Sequence, residues 1–460
     1  VSNIEESATV IFFRKNVERD AEDEEEEREL ISFQGAANGR DADLESNKKL
    51  VSIALEPAKE LVSDALEQKS EMLKLDPVGD KAAASFFIDG IKSAGPRFPL
   101  QKAVAITQIL KLLAGLDITI KDKPQRGAIK AKYRDLPFEV TIKTAPGKGA
   151  EQLTVMYRMT KTRRDRPEDI GIPEVVKKAV RDNAAKKEGV ILIVGPPESG
   201  LTTTALCTLR CVDSYLFQCF ILGDMQGREV QNVPEFKRDP EHDLATTIER
   251  IKRQEGDVVY FARFDDAELI REATKGSHQV CVMSEMVARD AADGVAKFAE
   301  IIGERDIAAD RLRCVVGFRL IRKLCTKCRE AFRPSPRLLT QVGLPENTTT
   351  LYREAREPEP DPKTGELPEP CSACDGTGYR GRAAVFELIQ ITDGIKEAMI
   401  AGGDAAAIKA KAREEKQLTC QKDALRLVAD GTTGLEELQR AFAPPAKKKA
   451  APPRKPSQEK

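Results

Sequence analysis

Two groups of residues in this 460-residue chain have the types and spacing that chemistry needs. The first is a pair of Cys-x-x-Cys knuckles, Cys325 with Cys328 and Cys371 with Cys374. Each knuckle supplies two adjacent vertices of a tetrahedron, so two of them suit a four-thiolate structural zinc site. A dithiol redox pair is the competing reading, but two knuckles without a thioredoxin-like context favour zinc. The second group is Gly195, Pro196, Pro197, Glu198, Ser199, Gly200, Leu201, Thr202 and Thr203. Its glycines have the spacing of a phosphate-binding loop, GxxxxGK[ST], with Leu201 where the lysine belongs. Loop N–H groups and a helix N-terminus can cradle phosphate whatever the side chains are, and Thr202 can offer its hydroxyl to magnesium. The missing ammonium is a charge-assisted contact typically worth ~1.5–3 kcal/mol. Glu198 adds a carboxylate that repels phosphate unless it turns outward. Taken alone, a lysine-less match is more often a plain glycine-rich turn than a nucleotide site.

The surrounding pattern decides what such a loop is built on. Residues 190–194 form a wholly apolar run that reads as a buried strand, and the chain then enters a helical pattern over 202–211. Further apolar strands are expected at 216–222, 258–261 and 279–283, so strands alternate with helices as in a parallel sheet covered on both faces. Before this part, residues 49–75 and 101–116 have helical spacing, 84–88 reads as a strand, and 128–133, 138–144 and 152–159 read as an antiparallel meander. After residue 393 the pattern is helical, with Thr433 to Glu436 as a capping box. The expected organisation is a disordered acidic tail over 1–46 and an α+β domain over 47–160. A hinge over 161–172 and an α/β domain over 173–324 follow. A tetracysteine element with its insertion then spans 325–392, helices span 393–443, and a basic tail spans 444–460.

Composition narrows the function classes. Hydrophobic residues make up 41% and charged residues 32%, with a formal net charge of −1, which lacks the basic excess of a nucleic-acid binder. No run approaches the ~20 apolar residues that span a bilayer, and no secretory leader pattern opens the sequence, so a cytosolic protein is expected. In that compartment the six other cysteines, Cys207, Cys211, Cys219, Cys281, Cys314 and Cys420, read as core residues rather than disulfide partners.

With these residues in place, a resemblance can be stated. LRCVVGFRLIRKLCTKCRE at 312–330, CSACDGTGYRGRAAVFELI at 371–389 and GVILIVGPPESGLTTT at 189–204 resemble the type II secretion and type IV pilus assembly ATPases. IDG at 88–90 and LAGLDI at 113–118 resemble the domain that precedes the phosphate loop there, so the resemblance covers about residues 80–443. It implies a PAS-like α/β domain hinged to a RecA-like P-loop domain, with ATP, magnesium and zinc as the family's ligands. It also implies rings, commonly hexamers, that drive an inner-membrane platform protein from the cytoplasmic side. Carried over residue by residue, the family's catalytic positions mostly differ here. The P-loop lysine falls on Leu201, the acidic box on Gly223 and Asp224, the B-motif acid on Arg263, and the histidine of the next box on Val287. Arg158 matches one phosphate-facing arginine of the N-terminal domain. The other position falls on Ala128, beside Arg126. These departures point to a weakly hydrolysing or non-hydrolysing subunit that scaffolds or regulates a motor. The rival expectation is a working ATPase that draws the lost charges from Arg263, Lys275 or a neighbouring subunit.

Overall fold

The computed structural model describes residues 28–40, 42–160, 164, 166–225, 228–356 and 367–443. The chain divides into two units, Val1–Lys161 and Thr162–Lys460. In the first, β1 (Ser32–Ala36) is followed by α1 (Lys48–Glu67), β2 (Met72–Val78), β3 (Lys81–Ile88), β4 (Ile91–Pro99) and α2 (Leu100–Leu113). The meander β5 (Gln125–Tyr133), β6 (Leu136–Ala145) and β7 (Gln152–Met159) completes it. All seven strands form one sheet in the order β1-β5-β6-β7-β2-β3-β4, antiparallel at every pairing. Alternate strand residues such as Leu73, Leu75, Leu153 and Val155 meet Leu61, Val62, Ile106 and Leu110 of the two helices in one core.

Two expectations for this unit need correction, and one strand was not expected. Residues 28–40 and 42–46 are not part of a disordered tail. Ile31 is buried, its N–H donates to Ser63 Oγ at 2.9 Å, and Ser32–Ala36 pairs with β5. An edge strand needs few apolar residues, and Arg28 anchors its approach by pairing with Asp64 and Glu67 of α1. The helical spacing of 49–75 yields to strand alternation at Met72, where Leu73 and Leu75 enter the sheet core. Strand β4 was hidden by Gly95, Pro96 and Pro99, residues that ordinarily punctuate a strand but are tolerated at this sheet edge. The acidic residues 22–27 and both ends, 1–27 and 444–460, lie outside the described residues.

In the second unit, a short 3-10 turn at Pro167–Ile170 within the expected hinge leads to α3 (Glu174–Ala184), β8 (Val190–Gly195) and α4 (Leu201–Leu209). Then come β9 (Cys219–Leu222), α5 (Leu244–Arg253), β10 (Val258–Phe261), α6 (Ala267–Gly276) and β11 (Cys281–Val287). Helices α7 (Ala291–Ile302) and α8 (Arg305–Arg311) precede the long β12 (Leu312–Leu324). An excursion holds β13 (Glu330–Phe332), α9 (Pro336–Val342) and β14 (Leu351–Arg353), and β15 (Tyr379–Gln390) returns to the sheet. Helices α10 (Asp393–Ile400), α11 (Ala405–Glu414), α12 (Cys420–Ala429) and α13 (Leu435–Phe442) follow.

The main sheet runs β15-β12-β8-β11-β10-β9, with β15 alone antiparallel to its neighbour. Every residue of β8 is buried, because its side chains alternate between a core with Val194, Phe298 and Ile248 and a core with Ile193, Ala205 and Leu206. The fully apolar run is thus the mark of a parallel strand covered on both faces.

Here too some expected boundaries move. Strand β9 begins at Cys219 rather than 216, and Tyr215 and Leu216 are exposed in the loop before it. Strand β11 extends to Val287, past the expected end at 283. The cut between 324 and 325 separates partners: β15 pairs with β12 from Cys314 opposite Gln390 to Leu324 opposite Tyr379, so it belongs to the main sheet and not to a separate element. The capping box is absent. Gly434 is the N-cap of α13, and Thr433 is buried with its hydroxyl donating to Arg322 O at 2.8 Å.

Candidate functional site

Four thiols converge where the long β12–β15 ribbon ends. Cys325 follows the last residue of β12, and its N–H donates to Gly378 O at 2.8 Å, which ties it to the start of β15. Cys371 and Cys374 sit on a tight turn closed by Cys374 N–H to Cys371 O at 3.2 Å, and Asp375, Gly376 and Gly378 adopt positive φ there. The four sulfurs all lie within 4.8 Å of one another, with Cys325 to Cys371 at 4.0 Å and Cys328 to Cys374 at 3.6 Å. A tetrahedral ion with Zn–S bonds of ~2.3 Å has sulfur edges of ~3.8 Å, so the donor set fits that metal. Among the described residues this is the one group of three or more Cys, His, Asp or Glu side chains placed close enough together to hold an ion. The Cys371 thiol is pulled down to about 7, chiefly by the backbone N–H of Ala373, while burial pushes Cys328 up. Cys371 is therefore the thiolate available first to an incoming cation.

The excursion between the knuckles is held from below. Leu339, Leu344 and Leu351 pack with Val428 of α12, and Arg329 stacks over Tyr352 at 4.1 Å. Under the ribbon, Glu437 is fully buried, accepts the backbone N–H of Arg322 at 2.9 Å and pairs with the guanidinium groups of Arg322 and Arg440. Burial alone would raise its carboxyl, but the bonds from Arg440 and Arg322 hold it below the usual range.

The glycine-rich segment lies at the carboxyl end of β8. Gly195 is required by packing, since a Cβ there would collide with the Phe318 ring. Ser199 Oγ donates to Pro196 O at 2.6 Å across the turn, and Glu198 and Gly200 take left-handed φ of 60° and 86°. Gly200 is the N-cap of α4, accepting the Thr204 N–H at 3.0 Å, so Leu201, Thr202 and Thr203 form the first helical turn. Glu198 is exposed, and Leu201 packs partly buried against the α4-side core. Thr202 Oγ1 donates to Glu285 Oε1 at 2.8 Å. The segment therefore runs from strand through loop to helix, with the N-terminus of α4 at the loop.

The remaining predicted positions spread along strand ends. Val287 is the last residue of β11, directly opposite Gly195, and half exposed. Arg263 follows β10 and forms an exposed ion pair with Asp265 at 2.8 Å. Gly223 and Asp224 follow β9, which is separated from β8 by β10 and β11 and so stands roughly 14 Å away at ~4.8 Å per strand. In the N-terminal unit, Arg158 on β7 pairs with Glu139 on β6 at 2.7 Å, and Arg126 stands on β5 opposite Lys143. The structure therefore brings together the loop, Thr202 and Val287, but does not place Asp224 beside them.

Sequence reasoning missed Glu285. The signal was available: Cys281, Met283 and Glu285 occupy alternate positions of one strand face, so an acid interrupts an otherwise apolar row just before the strand reaches the loop.

The sequence profile described as type II/IV secretion system protein matches residues 47–440. The chain belongs to that family. Among its relatives, the type IV pilus assembly ATPase PilB of Thermus thermophilus is 26% identical over 381 residues, covering 81% of this chain and 41% of that protein. The type II secretion system protein E of Dickeya dadantii is 27% identical over 360 residues, covering 77% and 69%. The X-ray structure of the Legionella pneumophila ATPase DotB aligns with 84% of this chain and 95% of its own length, at 13% identity and a TM-score of 0.47. The chain thus spans less than half the length of the first of these relatives. No helix among the described residues is long and apolar enough to cross a membrane.

Proposed function

We propose that the chain is a subunit of a type II secretion or type IV pilus assembly motor that hydrolyses ATP weakly or not at all and scaffolds or regulates active subunits. One observation carries this reading. The loop, the sheet and the four cysteines are kept while Leu201 and Arg263 occupy positions where phosphoryl transfer needs a cation and an acid. In this reading the first unit is the PAS-like domain and the second the RecA-like domain. Nucleotide contacts come from 195–203, with Arg158 and Asp224 as further candidates. Zinc is held by the four cysteines, and magnesium accompanies any bound ATP. The partners are further motor subunits in a ring, commonly a hexamer, and an inner-membrane platform protein, which places the chain at the cytoplasmic face of that membrane.

A working ATPase is the second reading, and the Thr202–Glu285 contact favours it, because it puts a carboxylate next to the phosphate-loop hydroxyl. Turnover by the purified chain, measured beside binding of a non-hydrolysable ATP analogue, separates the two. We expect measurable binding with little turnover. Leu201→Lys should tighten binding roughly ten- to hundredfold without restoring a brisk rate, since one charge-assisted contact is worth ~1.5–3 kcal/mol. A family-typical rate from the unaltered chain would overturn the regulatory reading.

A further inference from the structure

The side chain that Thr202 touches offers more than a structural contact. Glu285 is buried, lies on the strand next to β8, and stands opposite Ile193, two positions before Val287 meets Gly195. Its row on β11 faces the same core as α4, so its carboxylate comes up beneath the first turn of that helix and takes the Thr202 hydroxyl proton in a 2.8 Å hydrogen bond. Tyr260 of β10 lies beside it, and its phenol is pushed well up, first by burial and then by the Glu285 charge. The Phe264 N–H donates to Glu285 O at 3.1 Å, so the segment that carries Arg263 runs alongside this residue.

A nucleotide's magnesium in a phosphate-loop protein is held by the loop Ser or Thr together with an acid from elsewhere in the domain. Position 263 supplies a base that turns to Asp265, and Asp224 lies across two intervening strands. Glu285 is the acid in contact with the loop hydroxyl. We propose that Glu285, with Thr202, forms the divalent-cation seat of this site, so that the acid has moved from the end of β10 to β11. The inference rests on the nucleotide-binding part of the reading above and deepens it. Because the loop lacks its lysine, the cation becomes the main positive charge near the phosphates. A buried carboxylate without that cation would repel a diphosphate. Nucleotide affinity should therefore depend on the divalent ion more steeply than in a loop that keeps its lysine.

The test uses the full chain with ADP as the probe, titrated with magnesium or with EDTA, and manganese followed by electron paramagnetic resonance. Unaltered protein should bind ADP at least roughly tenfold more tightly with magnesium, the scale of effect seen when a metal-supporting group is lost. Glu285→Gln keeps an oxygen that accepts the Thr202 hydrogen but removes the charge. It should erase most of that dependence and release ADP-dependent manganese, whereas a purely structural contact would leave both unchanged. If Glu285→Gln does not fold, Thr202→Val tests the other half of the seat, and the magnesium contrast in the unaltered chain still stands. Equal ADP affinity with and without magnesium, or a Glu285→Gln variant that keeps the contrast, overturns the cation seat and leaves nucleotide binding intact. No ADP binding under either condition overturns both.

Discussion

The tetracysteine tip and the glycine-rich loop sit at the same end of one sheet, on neighbouring strands β12 and β8, yet they differ in what holds them. At the tip, the side chains themselves are the site: four sulfurs within 4.8 Å, set by two short turns. At the loop, the backbone shape is fixed by packing that owes nothing to phosphate. A Cβ at Gly195 would strike Phe318, one at Gly294 would press on Val194 Cγ1 at 2.9 Å, and one at Gly317 would meet Glu387. Such glycines keep a loop in shape even when the charged residues that do chemistry are replaced. Loop geometry is therefore weak evidence for hydrolysis, whereas a closed set of four thiols is strong evidence for a metal.

The largest expected effect breaks the first half of that contrast. Cys325→Ser or Cys371→Ser should abolish a stoichiometric zinc found by elemental analysis of the unaltered protein. Structural zinc contributes on the order of 10–16 kcal/mol in small zinc domains, more than most domains are stable by. Limited proteolysis should then cut within 329–378 while the main sheet stays protected, because β13, α9 and β14 lean on α12 through Val428 rather than on the sheet. Protons compete with the metal for the four thiolates, so zinc should leave more readily as pH falls. A variant that lacks zinc but keeps full protease resistance would show that packing alone holds the tip.

A smaller effect is expected beneath the tip. Glu437→Ala should cost about 3 kcal/mol in urea denaturation, because it leaves the Arg322 guanidinium and backbone N–H without their buried partner. The Glu437 carboxyl is held below the ordinary range in the folded state, so its contribution is present above about pH 4 and lost as pH falls through the lower folded value. The gap between variant and parent should accordingly narrow in acid. A gap that stays constant down to pH 3 would mean that packing, not charge, carries the cost.

How much was legible in the sequence follows from the range of the forces involved. The knuckles were readable because each pair is local and sulfur geometry is strict, and β8 was readable because burial on both faces leaves an unbroken apolar run. Strand β1 was obscured by the acidic residues before it, since an edge strand shows little of itself in composition. Strand β15 was assigned to the metal element because nothing local marks it as the antiparallel partner of β12 over Cys314 to Leu324. Thr433 and Glu436 have the spacing of a capping box, but the tertiary contact of Thr433 with Arg322 O wins. Glu285 stands out locally as an acid in an apolar row, but its partner Thr202 is 83 residues away in sequence, and no local pattern marks that pairing.

The smallest expected effect on stability sharpens the second half of the contrast. Arg263 and Asp265 are 51% and 61% exposed, so their ion pair should contribute at most about 1 kcal/mol, and Arg263→Ala should leave the thermal midpoint nearly unchanged. Binding of the ATP analogue should also stay within roughly twofold, since a guanidinium engaged with an exposed aspartate adds little at the loop. A loss beyond about tenfold would instead mark Arg263 as a phosphate ligand and favour the working-ATPase reading. Arg263→Glu together with Leu201→Lys asks the converse question. The lysine strengthens attraction to the phosphates in ground and transition states alike, while turnover also needs the cation and an attacking water held in line. Both changes act on one reacting centre, so the double variant should gain more in rate than the two single gains combined. Simple additivity would show instead that the two positions act independently of one another.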